Sequence, residues 1–185
     1  MGQLLHSLAK VRRALNILVD PKLYSKALRF NISIVRHKLM PKVFLRQVSR
    51  SDGDLLADLR VRAMKESLEA VGRFDPIRAK NRFLDNFDPL LTREILLNNE
   101  RVGFVVVKEM VDHLYLDHLY IDPQHQSKGV GAAVLKQVFD IADASKKAIK
   151  LGALKESRSN DFYKSQGFVF TESGEWDNYY IRLPK

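Results

Sequence analysis

Between Gln126 and Gly131 the run Gln-Ser-Lys-Gly-Val-Gly sets two glycines and a serine around one lysine, directly ahead of a stretch with helical periodicity. Small residues at a helix start let consecutive backbone N–H groups face outward, where unpaired donors and the helix dipole favour an anion such as a pyrophosphate. Lys128 adds a mobile positive charge. Upstream, Tyr115 to Ile121 reads as a strand and Asp122 to Gln126 as its exit loop, so strand, small-residue turn and helix follow in the order a phosphate cradle needs. Read from its glycines alone, the turn fits an ordinary loop equally well. Two other phosphate motifs do not fit: a Walker loop needs Gly-Lys-Ser/Thr, and a dinucleotide fingerprint needs Gly or Ala where Val134 stands.

The other reactive side chains exclude several chemistries. His113, Asp117, His118 and His125 make the one histidine-rich stretch, but strand alternation puts neighbouring members on opposite faces and no His-Glu-x-x-His occurs, so no metal site is expected. No Gly-x-Ser-x-Gly elbow marks a serine nucleophile. With no cysteine, disulfides, thiolate metal sites and a cysteine nucleophile are all excluded.

Around the turn, hydrophobic spacing lays out the elements. Val43 to Val48 reads as a strand, and Ser51 or Asp52 can cap an amphipathic helix carrying Leu55, Leu59, Ala63, Leu68 and Val71, ended by Gly72. A second helix starts near Pro76, includes Ile77, Phe83, Leu84 and Phe87, and stops before Pro89. Thr92 to Leu97 and Val102 to Lys108 flank the polar connection Asn98-Asn99-Glu100 and predict a hairpin. After the strand 114–121 come a helix over 128–144 (Val130, Val134, Leu135, Val138, Ile141, Ala142), a strand 148–154, a short helix 160–165, and strands 168–171 and 179–183. This order predicts an α/β fold, a mixed sheet with helices on its faces.

The 185 residues suit one domain with an extension. No apolar run approaches the roughly 18 residues needed to span a bilayer, and the start lacks a secretory or myristoylation pattern, so a cytoplasmic location is expected. Charge is unevenly placed. Residues 1–42 hold nine basic side chains against Asp20 alone, a surplus of eight within a formal net charge of +9. Leu4, Leu5, Leu8, Val11, Leu15 and Leu18 line one face of a predicted helix there, and Pro21 is placed to open a second. The expected boundaries are a basic helical extension over 1–42 and a domain over 43–185.

Residues 119–131, Leu-Tyr-Ile-Asp-Pro-Gln-His-Gln-Ser-Lys-Gly-Val-Gly, resemble the acetyl-coenzyme A signature of the Gcn5-related N-acetyltransferase (GNAT) superfamily, Gln/Arg-x-x-Gly-x-Gly/Ala after a strand. Asn160-Asp-Phe-Tyr163-Lys-Ser-Gln-Gly167-Phe168 resembles the family's second signature at the expected distance. Ser127 departs from the glycine often found there. The resemblance covers residues 43–185 and implies a GNAT-type mixed, mostly antiparallel sheet flanked by helices.

It implies acetyl-CoA as cofactor and acetyl transfer to a primary amine, the acceptor being a small amine, an amino acid or a protein amine. By position, Leu119, Tyr120 and Ile121 would pair the pantetheine arm like an added strand, and the backbone donors of Gln126, Ser127, Lys128, Gly129, Val130, Gly131 and Ala132 would hold the pyrophosphate. An N–H near Ile121 would stabilise the oxyanion. Tyr163 corresponds to the family's general acid, with Asn160 one turn before it facing the same arm. Because an alkylamine of pKa about 10 is mostly protonated at neutral pH, a base is needed. Asp117 stands where family members place one, with His118 and Glu69 behind it.

The implied acceptor surface contains Glu69, Arg73, Phe74 and Asp75 from one segment and Trp176, Asp177 and Tyr179 from another. Carboxylates and aromatics there suit a cationic amine, while Arg73 could receive a substrate carboxylate. The alternative to catalysis is a non-catalytic acyl-CoA-binding or scaffold protein on the same fold. The basic extension docks on the domain, packs on a second subunit in a homodimer, or contacts nucleic acid, the ribosome or an anionic membrane surface.

Overall fold

The computed structural model describes residues 41–185, one compact unit; the expectations for residues 1–40 lie outside the described residues. Strand β1 (Val43–Gln47) leads through a 3-10 turn (Arg50–Asp52) into α1 (Gly53–Ala70) and then α2 (Pro76–Leu84). Strands β2 (Thr92–Leu97), β3 (Glu100–Glu109) and β4 (His113–Ile121) follow, then α3 (Val130–Ser145), β5 (Ala148–Leu154), α4 (Ser159–Ser165), β6 (Val169–Ser173) and β7 (Asp177–Arg182). The seven strands form one sheet in the order β1-β2-β3-β4-β5-β7-β6. Only β4 and β5 run parallel; all other neighbours are antiparallel. Among the described residues no helix is long and apolar enough to cross a membrane.

The local signals explain most boundaries. Asn98 and Asn99 both take positive φ (52° and 67°), making a two-residue hairpin turn of the hand that matches strand twist. Glu100, expected in the turn, is the first residue of β3. At the head of α1, Asp52 stands at the cap position, but its carboxylate turns back to accept from Ser49 N (2.8 Å) and Ser49 Oγ (2.7 Å). The reciprocal cap is therefore built around Ser49, neither Ser51 nor Asp52 acting as expected. Gly72, at φ +65°, follows α1 where a left-handed residue is needed.

Two cores lie on opposite faces of the sheet. On one, Val130, Val134, Leu135 and Val138 of α3 pack on Leu114, Leu116, Ile149 and Leu151. On the other, Leu56 and Leu59 of α1 and Phe83 of α2 pack on Phe104 and Val106. Leu55, Ile77 and Ile141, which helical periodicity points inward, are exposed. Leu56 takes the core position that periodicity assigns to the neighbouring Leu55.

Two features of β4 shape the site. Val106 pairs with His118 but the next residue, Val107, pairs with Leu116, so Asp117 is an extra residue bulged out of the ladder. Leu114 and Leu116 before the bulge, and Leu119 and Ile121 after it, then share the α3 face. Tyr115, His118 and Tyr120 fall on the α1/α2 face. Regular alternation from Tyr115 onward would group it with Leu119 and Ile121, and the bulge separates them. Second, β4 pairs with β5 over only three residues, His113–Tyr115 against Ala148–Lys150. Past that point the two strands have no ladder between them, which leaves the far ends of β4 and β5 open to a third strand-like partner.

Candidate active site

The turn after β4 is assembled from alternating backbone hands. Asp122 accepts from Gln124 N (3.2 Å) and starts a 3-10 turn over Pro123–His125. Gln126 is extended, Ser127 has φ +59°, and Gly129 has φ +80° at the cap of α3. The first bond within α3 runs from Ala133 N to Gly129 O (3.0 Å), so the N–H groups of Val130, Gly131 and Ala132 lack intrahelical acceptors. Turns of alternating hand with outward N–H groups at a helix start form an anion-binding concavity. Lys128 is exposed beside it, and Val130 is buried, leaving only its main chain to contribute.

Side chains lock this turn in place. Gln126 Nε2 donates to Ile121 O (2.9 Å), tying the loop to the end of β4. Arg62 of α1 donates to Asp122 Oδ2 (2.8 Å). Burial raises the Asp122 pKa, but Arg62 and the Gln124 N–H outweigh it, and the net direction is down. Gly131 lies against Phe162 of α4, where an added methyl would come within 3.1 Å of the ring. The turn, the head of α3 and α4 are thus one packed assembly.

Tyr163 follows Phe162 and is buried, with Phe168 edge-on to its ring at 5.6 Å. Burial drives its phenol pKa well above the ordinary value, and Tyr120 pushes in the same direction, so Tyr163 keeps its proton at neutral pH. Asn160 is used differently from the expectation that it faces a cofactor arm. Its Nδ2 donates to Leu154 O and Ser157 O, both at 2.8 Å. Its Oδ1 accepts from Tyr180 Oη (2.9 Å) and Asn178 Nδ2 (3.0 Å). Two donors and two lone pairs are the whole capacity of a carboxamide. Asn160 is a joint between α4, β5 and β7, its side-chain amide engaged within the protein.

On the α1/α2 face, the bulged Asp117 is held by Lys108 Nζ at 2.6 Å, and His118 Nε2 lies 3.9 Å away. His118 is packed among Phe83, Phe104 and Tyr120. Burial lowers its pKa to about 4; Asp117 pulls upward, while Arg60 and Lys108 push downward. Its Nδ1 is buried without a hydrogen-bond partner. His118 is therefore neutral at physiological pH and a weak base. Of the other expected ring nitrogens, His113 Nδ1 pairs with Asp112 (2.6 Å) and His125 Nε2 lies 3.9 Å from Glu100.

The expected acceptor residues come from two loops that meet. The Arg73 guanidinium lies 3.7 Å from the centre of the Trp176 ring, joining the end of α1 to the β6–β7 turn. Arg158, after β5, pairs with Glu66 of α1 at 2.6 Å. Successive turns of α1 at Arg62 and Glu66 therefore reach the loops after β4 and after β5, and Arg73, just past the end of α1, reaches the turn before β7. Glu69 and Phe74 flank this line, Glu69 paired with Lys65 (3.9 Å) and Phe74 facing Lys65 Nζ at 6.0 Å. Sequence reasoning misses Tyr115 and Lys108. Tyr115 is hidden by the bulge, and the partner of Asp117 sits on another strand.

Residues 92–170 match the sequence model of the acetyltransferase (GNAT) domain. That match spans less than half of the 185-residue chain. None of the curated proteins matches it significantly in sequence. Among solved structures it is similar to the PaiA N-acetyltransferase from Thermoplasma acidophilum in complex with coenzyme A, at 15% identity and TM-score 0.65, over 77% of this chain and 99% of that one. It is similar to an acetyltransferase from Thermus thermophilus, at 19% identity and TM-score 0.61, over 77% and 97%. It is also similar to the ribosomal-protein-S18-alanine N-acetyltransferase from Escherichia coli, at 16% identity and TM-score 0.56, over 76% and 91%. At these identities the likeness establishes the fold: a mixed, mostly antiparallel GNAT sheet flanked by helices.

Proposed function

We propose that this chain is an N-acetyltransferase that takes its acetyl group from acetyl-CoA and passes it to a primary amine. The observation that carries this reading is the opening between β4 and β5, flanked by the left-handed Ser127–Gly129 turn and the free N–H groups of Val130, Gly131 and Ala132. A strand-like arm with a diphosphate at one end matches that shape. Leu119, Tyr120 and Ile121 offer the main chain beside the arm, with the Ile121 carbonyl already bonded by Gln126. Lys128 supplies a mobile charge to the diphosphate.

Acetyl-CoA supplies, when bound, a thioester activated toward amines. Within the chain, Tyr163 Oη holds a proton in a buried place and delivers it to the departing thiolate. Burial weakens a phenol as an acid, but it strengthens a thiolate as a base in the same surroundings, so the transfer is not opposed on balance. Asp117 accepts the amine's proton, its carboxylate fixed at the bulge by Lys108. In this reading residues 43–185 carry the reaction.

Because the chain has no cysteine, a thiol reagent sees only released CoA. The expected result is acetyl-CoA-dependent thiol release with at least one class of amine, and saturable heat on titrating acetyl-CoA in calorimetry. Saturable heat with no thiol release across amines and peptides would favour a non-catalytic CoA-binding protein. Absence of both would sink the proposal.

A further inference from the structure

The expected acceptor surface holds three carboxylates and three aromatic rings, and the structure commits most of them to the protein itself. Asp75 caps α2, accepting from Arg78 N at 2.9 Å. Glu69 is paired with Lys65 one turn away. Arg73 covers the Trp176 ring and Lys65 faces Phe74. Among the described residues, Asp177 has no ion-pair partner and Tyr179 carries no cation on its ring.

Glycines set the positions of these two. β5 and β7 pair with Gly152 opposite Tyr179 and Leu154 opposite Asp177. A methyl group on Gly152 would come within 3.3 Å of the Tyr179 ring and 3.7 Å of Asp177 Cβ. On Gly174 it would come within 2.9 Å of the other edge of that ring. The bare strand at Gly152 is thus the floor on which the ring and the carboxylate sit side by side. Tyr115 belongs to the same face, since it pairs with Lys150, two residues before Gly152. Burial raises the Tyr115 pKa, and the charges of Asp117, Tyr179 and Asp177 raise it further, so these groups share one electrostatic neighbourhood. Asp117 is matched by Lys108, which leaves Asp177 as the open charge.

We propose that Asp177, Tyr179 and Tyr115 form a cage for an alkylammonium group and select acceptors that carry one. The identity of the cage as the acceptor subsite rests on the acetyltransferase reading; the cage itself rests on the geometry of β4, β5 and β7. A carboxylate attracts the cation, the Tyr179 ring face adds its quadrupole, and the sheet floor removes part of the solvent that would screen both.

Trp176 is the sole tryptophan and immediately precedes Asp177, so its fluorescence serves as a reporter close to the cage. Titration of the full chain with hexylammonium chloride should give a saturable change, with none at equal concentrations of 1-hexanol. Asp177→Asn should weaken that binding at least 10-fold and Tyr179→Leu about 5-fold, with thermal unfolding of Asp177→Asn unchanged as the control for folding. In turnover, Asp177→Asn should raise KM for hexylamine at least 10-fold with kcat within about 3-fold, and leave KM for a neutral arylamine unaltered. Wild-type titration curves in Asp177→Asn, an equal response to hexanol, or no response in the unmodified chain would overturn the cage. Hexylammonium binding without acetylation of any amine would keep the cage and sink the acetyltransferase reading. Turnover with an unchanged KM in Asp177→Asn would do the reverse.

Discussion

The guanidinium carbon of Arg73 lies 3.7 Å from the centre of the Trp176 ring, and this one contact bridges the end of α1 and the β6–β7 turn. Both partners are partly exposed, a setting in which such a stack contributes about 0.5–1 kcal/mol. Arg73→Ala should therefore barely move the urea midpoint, while it uncovers the only tryptophan. The expected readout is a red-shifted emission and a larger acrylamide quenching constant. An unchanged quenching constant would mean that the two loops do not hold this contact in solution.

Tyr163 offers a sharper test of the proposed chemistry. Its ring is packed by Phe162 and Phe168, and Tyr163→Phe keeps that packing while removing the hydroxyl. General acid catalysis contributes roughly 10²–10⁴-fold, so kcat should fall by about 100-fold. The affinity for acetyl-CoA, measured by calorimetry, should change by less than about 3-fold. An equal loss of affinity and kcat would remove Tyr163 from the proton transfer and leave it a packing residue.

Ser127 holds φ +59°, a backbone conformation that costs a non-glycine residue roughly 1 kcal/mol. Ser127→Gly should raise stability by up to about 1 kcal/mol, less the extra entropy that glycine brings to the unfolded chain. Ser127→Val should destabilise, because a branched side chain tolerates that region poorly. Paired urea titrations decide the matter. If Val and Gly behave alike, the left-handed turn is not held as described.

What can be read from the sequence, and what cannot, follows the range of the interactions involved. The Asn98-Asn99 turn, Gly72 and Gly129 are legible because each residue type announces its own backbone preference. The bulge at Asp117 is not. Residues 113–121 contain neither Gly nor Pro, and although their apolar positions shift phase from Leu114 and Leu116 to Leu119 and Ile121, the extra residue itself is defined only by the register against Val106 and Val107. That single offset moves Tyr115 to the other face and places it with Asp177 and Tyr179. Leu55 and Leu56 are adjacent, and periodicity cannot say which of two neighbouring leucines the core takes. The role of Asn160 depends on Asn178 and Tyr180, partners that no local pattern contains.

His118 makes stability depend on pH in a window of its own. In the unfolded chain an imidazole takes a proton near pH 6.5, whereas burial against Phe83, Phe104 and Tyr120 delays this to about 4 in the folded chain. Between those values the unfolded state binds more protons, so stability falls as pH drops from about 6.5 to 4 and is insensitive to this group above that range. The full shift corresponds to at most about 3 kcal/mol. Asp52 and Asp143 are held at about 2, Asp52 chiefly by the Ser49 N–H and Asp143 by Arg182, so their contributions are lost only below about pH 3.8. His118→Phe, which fills the same aromatic cluster without a titrating group, should flatten the slope between pH 6.5 and 4.5 and leave the steeper loss at lower pH intact. Urea midpoints at pH 7.5, 6.5, 5.5 and 4.5 for the two proteins check this. Parallel curves throughout would show that His118 is not buried as a neutral ring.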